Sequence, residues 1–107
     1  MNLPQLDITS IEKYLKITKA RGAHTISIIA KLNKHFEGVF GSDIGKELIV
    51  THVNRLEDLL TLIYNEKASD KEWAEFRVLK KMLDDEVKRI KVYLDKVNEV
   101  RKIASTI

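Results

Sequence analysis

A chain of 107 residues with no cysteine, one proline and four glycines, 44% hydrophobic and 33% charged, has the length of one domain and an ordinary globular composition. The missing cysteines exclude disulfides, thiolate metal sites and cysteine nucleophiles. No apolar run reaches membrane-spanning length and Met1–Asp7 lacks the basic start of a signal peptide, so a single cytoplasmic domain over residues 1–107 is expected. The net charge of +3 divides into +3 over residues 1–40, −2 over 41–68 and +2 over 69–107, too even for the concentrated footprint of a dedicated nucleic-acid binder.

Residues 1–8 form a short lead-in, and Pro4 discourages an earlier helix start. Thr9-Ser10-Ile11-Glu12 has the spacing of a capping box, which predicts a first helix from about Ser10. Its heptad positions 11, 15, 18, 22, 25, 29, 32 and 36 read Ile, Leu, Thr, Gly, Thr, Ile, Leu, Phe: apolar at both ends and small in the middle. A glycine in a helix interior costs about 1 kcal/mol relative to alanine, so Gly22 marks a kink or a close helix approach. One continuous helix is the expectation. The alternative is two shorter helices meeting at Arg21-Gly22-Ala23.

Gly38-Val39-Phe40-Gly41-Ser42 predicts the first turn, with Ser42 or Asp43 capping a second helix that runs to about Glu66. Asn65-Glu66-Lys67-Ala68 is too short for anything except an antiparallel reversal into a third helix. Ser69-Asp70-Lys71-Glu72 is a second capping box, and positions 76, 79, 83, 86, 90, 93, 97, 100 and 104 continue as a seam of apolar residues interrupted once, by Glu86. The fold class expected is all-α, an antiparallel three-helix bundle made of a long hairpin and an N-terminal helix, with four helices if the first breaks at Gly22.

The third helix is the longest, and it outruns its hairpin partner by about ten residues. An N-terminal helix folded back on the second would not reach that overhang. Val97, Val100, Ile103 and Ile107 therefore predict a self-association surface and a homodimer, other protein partners being possible. Val78 and Val92 add a weaker apolar stripe on the opposite side of the same helix.

Signals for chemistry are few. Gly41-Ser42-Asp43-Ile44-Gly45-Lys46 is one residue short of a phosphate-binding loop, has Glu47 where magnesium needs a hydroxyl, and follows no strand. No His-x-x-x-His or Glu-x-x-His pair occurs, and His24, His35 and His52 lie far apart, so no metal and no cofactor is expected. His52 stands in the middle of the second helix's apolar face. Hairpin partners should sum to about 136 in residue number, which puts His52 within a turn of Glu86 and predicts a polar pair that fixes register. Trp73 is expected to cap the core over the hairpin turn.

Lys13, Lys16, Lys19, Lys31 and Lys34 line the polar arc of the first helix and are the candidate phosphate contacts, although no aromatic residue interleaves with them for base stacking. Without a paired nucleophile and base, no enzyme is expected. The sequence points to a helical interaction or assembly module that self-associates through its long C-terminal helix. The alternative is a small nucleic-acid-associated accessory protein using the lysine stripe.

Overall fold

The computed structural model describes residues 3–106. Those residues are all-helical, with four helices in the order α1 (Ile8–Thr18), α2 (Ala20–Phe40), α3 (Asp43–Tyr64) and α4 (Asp70–Ala104). None of them is long and apolar enough to cross a membrane. The chain divides into two compact units. One holds the residues up to Phe36 together with those from Arg89 onward, and the other holds Glu37–Lys88.

In the first unit the expected single N-terminal helix is two helices. The break falls at Lys19, three residues before Gly22. Lys19 takes φ 54° and ψ −131°, a conformation that favours glycine, while its amide still donates to Leu15 O at 2.9 Å. Gly22 serves the close approach instead. A methyl group there would overlap Thr18 Oγ1 and stand 2.9 Å from Tyr14 Cε1, and both side chains are held: Tyr14 is buried, and the Thr18 hydroxyl donates to Tyr14 O at 2.8 Å. The start of α1 also differs. Asp7 is the N-cap and Thr9 lies inside the helix, so the Thr9–Glu12 box does not form. The neighbouring Ser10 hydroxyl holds the Asp7 carboxyl below its ordinary range.

The core of this unit comes from two heptad stripes. Gly22, Thr25, Ile29 and Phe36 are buried on α2, and Tyr93, Val97, Val100 and Ala104 on α4. Phe36 and Tyr93 meet edge to face, with centroids 5.4 Å apart and planes at 89°. The lead-in is tied to this core by polar bonds. Tyr93 Oη donates to Pro4 O at 2.6 Å, Arg101 Nη2 to Gln5 O at 3.1 Å, and the Gln5 and Asn33 side-chain amides exchange two bonds at 3.2 and 3.0 Å. Burial raises the Tyr93 hydroxyl pKa against the opposing effects of Asn33 and Arg101.

The second unit is mostly the α3–α4 hairpin. Ser42 caps α3, its Oγ accepting from Gly45 N–H at 3.0 Å while donating to Gly38 O at 2.7 Å. Gly45 is needed for space rather than for φ, because a methyl group there would run into the carbonyl oxygens of Gly38 and Val39. At the other end α3 closes in a Schellman arrangement. Glu66 sits at φ 58°, its amide donating to Ile63 O at 3.1 Å and the Lys67 amide to Leu62 O at 2.8 Å. The second capping box forms as its spacing predicts, with Ser69 N–H to Glu72 Oε1 at 3.0 Å and Glu72 N–H to Ser69 Oγ at 3.2 Å.

Candidate functional site

Length and patterning give the α3–α4 hairpin little interior. Among the described residues, Leu59 and Leu79 are the buried hydrophobic side chains of this unit, one on α3 and one on α4. Two helices form a single interface, so an apolar arc wider than that interface stays in solvent. Both arcs here are wider. Leu60 is 46% exposed and Val53 38% on α3, and Val87 is 51% exposed on α4, while Leu56, Phe76 and Leu83 are half-buried.

Helical geometry assigns these side chains to one face. At about 100° per residue, Arg55 lies about 40° to one side of Leu59, and Glu75 about 40° to the same side of Leu79. For antiparallel helices that is a shared face, and the two side chains bridge it with Arg55 Nε to Glu75 Oε1 at 2.9 Å and Nη2 to Oε2 at 2.8 Å. Val53, Leu56 and Leu60 lie about 60–120° to the other side of Leu59, and Phe76, Leu83 and Val87 about 40–80° to the other side of Leu79. The Arg55–Glu75 ion pair thus lies on one face of the hairpin, which also carries the exposed Val78 and Met82, while Val53, Leu60 and Val87 are exposed on the other. Trp73, expected to cap the core, is 39% exposed at one end of the apolar face, edge to face with Phe76 at 6.0 Å. Periodicity alone does not find this exposure, because Val53 and Leu60 have the same spacing whether or not another helix covers them.

The sequence-predicted residues fall in several places. Val97 and Val100 are fully buried within the chain, Ile103 is half-buried, and Ile107 lies outside the described residues. The expectation that nothing in the chain could reach this end of α4 is corrected. The residues up to Phe36 pack on it, because the break at Lys19 and the pairing of Phe36 with Tyr93 bring α1 and α2 into one unit with the C-terminal part of α4. Val78 and Val92 are exposed.

His52 and Glu86 are both half-buried in the second unit, on α3 and α4. Lys13 is half-buried on α1, near enough to Asp7 to help lower its pKa, whereas Lys16, Lys19, Lys31 and Lys34 are exposed; all five belong to the first unit. Among the described residues no group of three or more His, Asp or Glu is placed to hold a metal ion. Compared with protein-family models, curated proteins and solved structures, the chain matches none of them.

Proposed function

We propose that this protein is a non-enzymatic helical assembly module that self-associates through its long C-terminal helix, α4. One observation carries this reading. A compact unit with Leu59 and Leu79 as its buried hydrophobic side chains leaves Val53, Leu60, Val87 and Trp73 exposed. Exposed large apolar side chains gathered on one compact unit support an interaction surface there. The part of α4 assigned to the contact is its N-terminal half, since Val97 and Val100 already have cover. Within the hairpin, His52 and Glu86 are assigned to a polar layer that fixes register, as single polar core residues do in coiled coils.

Sedimentation velocity over a concentration series is the test. A mass that rises to twice the chain mass at tens of micromolar, unchanged by added salt, supports the reading. A chain that stays monomeric throughout overturns it. Replacing His52 and Glu86 together by leucine tests the polar layer: an unaltered stability and oligomeric state would remove its assigned role.

A further inference from the structure

We infer that the N-terminal arm, residues 3–18, exchanges between two copies of the chain. The helix straightens at Lys19, and each arm takes on the other copy the place it holds here on its own. This contact lies within the first compact unit and does not involve the exposed apolar side chains of the hairpin. The arm is folded back on α2. Gln5 and Asn33 exchange two side-chain bonds at 3.2 and 3.0 Å, whereas in an unbroken helix the stretch from Ile8 to Asn33 alone would extend about 38 Å.

A single residue makes the reversal. Lys19 holds φ 54° and ψ −131°, a region that glycine occupies freely and a lysine enters only under strain. Yet its amide donates to Leu15 O at 2.9 Å and its carbonyl accepts from Ala23 N–H at 3.2 Å, the four-residue steps of an ordinary α-helix. Straightening would set the Ala20, Arg21 and Gly22 amides on the carbonyls of Lys16, Ile17 and Thr18 and release the strain. Nothing in Thr18-Lys19-Ala20-Arg21 stops a helix; Lys, Ala and Arg are among its best formers.

The pattern on either side of the hinge suits a second copy. Positions 11, 15, 18, 22, 25 and 29 pair off symmetrically about position 20: Ile11 with Ile29, Leu15 with Thr25, Thr18 with Gly22. Positions 5 and 33, which do meet, are centred on 19. Such a stripe closes on itself when one helix folds at the hinge, and equally when two straight helices run antiparallel and cross there on a two-fold axis. The remaining anchors transfer unchanged, because the Pro4 and Gln5 carbonyls can accept from Tyr93 Oη and Arg101 Nη2 of either copy, as they do here at 2.6 and 3.1 Å. A partner of different sequence would not repeat this set. The folded-back arm has the advantage of high effective concentration and the straight one is free of strain, so exchange should grow with protein concentration.

The absence of cysteine allows two spin labels to be placed without background. Thr9→Cys and Lys34→Cys in one chain alter exposed side chains, and circular dichroism checks that the double variant keeps the wild-type helix content. Labelled chain is refolded from urea with excess unlabelled wild-type protein at low and high concentration. Gel filtration separates the species, and pulsed electron paramagnetic resonance reads the distance within one chain. An unbroken helix sets the two positions about 37 Å apart, whereas contact of Gln5 with Asn33 keeps them within about 25 Å. The dimer should show the long distance and the monomer the short one. Lys19→Gly eases the fold-back and disfavours the straight helix in both chains, so it should weaken dimerisation on the order of a hundredfold. A dimer with the short distance, or one equally tight in Lys19→Gly, overturns the exchange and leaves self-association through the hairpin standing. A long-distance dimer that Lys19→Gly reduces to monomer supports the exchange and leaves the hairpin without a part in assembly. A monomer at every concentration overturns both.

Discussion

Arg55 and Glu75 lie 20 residues apart, yet they meet through two parallel hydrogen bonds of 2.9 and 2.8 Å across the hairpin formed by α3 and α4. A fork-to-fork bond fixes orientation as well as distance. Here it sets one rotational position of each helix, and from that setting Val53 and Leu60 of α3 and Val87 of α4 fall on the opposite face.

Acid should loosen this hairpin first. Hydrogen bonding from Arg55 holds Glu75 below the usual carboxylate range, the Ser69 amide and hydroxyl do the same for Glu72, and Lys80 does so for Asp84. A carboxyl with a depressed folded-state pKa adds stability that is present above its unfolded value and is lost as pH falls through the folded one. The melting temperature should therefore stay level from neutral pH down to about 5 and fall below about 4.5, the unfolded Glu region. Glu75→Gln should lower it slightly at neutral pH and shrink the acid-induced fall. Because these groups are exposed, added salt should weaken both effects.

Tyr93→Phe keeps the ring against Phe36 and removes the bond to Pro4, so a loss of about 1 kcal/mol is expected in chemical denaturation. Tyr93→Ala also empties the core position, for about 3–5 kcal/mol. Amide exchange of the residues just before α1 should speed up in both variants. An unchanged rate in Tyr93→Phe would mean that the hydroxyl does not hold this segment.

Gly22→Ala should destabilise despite the about 1 kcal/mol that alanine gains in helix propensity. The added methyl overlaps Thr18 Oγ1 and crowds Tyr14, and overpacking of this kind costs about 1–3 kcal/mol. Part of the loss should be recovered in a Thr18→Ala background, which a double-mutant cycle in urea would measure. Gly45→Ala should have no such rescue, because the obstacles include the backbone carbonyls of Gly38 and Val39.

Two glycine substitutions should stabilise. Lys19 and Glu66 hold φ values of 54° and 58°, where side chains are strained and glycine is not. Lys19→Gly and Glu66→Gly should each raise the urea midpoint by the equivalent of about 1 kcal/mol, whereas alanine at either position should not. A fall in the glycine variants would show that the side chain contributes more than its backbone strain costs.

The parts of this fold legible in the sequence are those fixed by chemistry within a few residues. The Ser69–Glu72 box, the Ser42 cap and the seam from Phe76 to Ala104 depend on local spacing, and the helices follow them. The heptad through Gly22, Thr25, Ile29 and Phe36 was also readable as a buried stripe. Its partner was not, because periodicity tells which face of a helix is covered and nothing about what covers it. Spacing alone thus gives Val97 and Val100 to a second chain, although α1 and α2 as far as Phe36 lie in the same compact unit as they do. Val53 and Leu60 pose the reciprocal problem: they have the same pattern whether a third helix of the same chain covers them or none does. The break at Lys19 was invisible because a lysine at positive φ leaves no mark in composition.

The tether ahead of α1 also bears on how this chain can vary. Tyr93 and Arg101 bind the carbonyl oxygens of Pro4 and Gln5, groups that every amino acid supplies. These two bonds therefore place no demand on the side chain at position 4, while the side chain at position 5 is engaged by the amide exchange with Asn33. Mutational tolerance in this segment should be read from its anchors: a library that leaves residue 4 open will accept many sequences, and one that opens residues 93 and 101 will accept few.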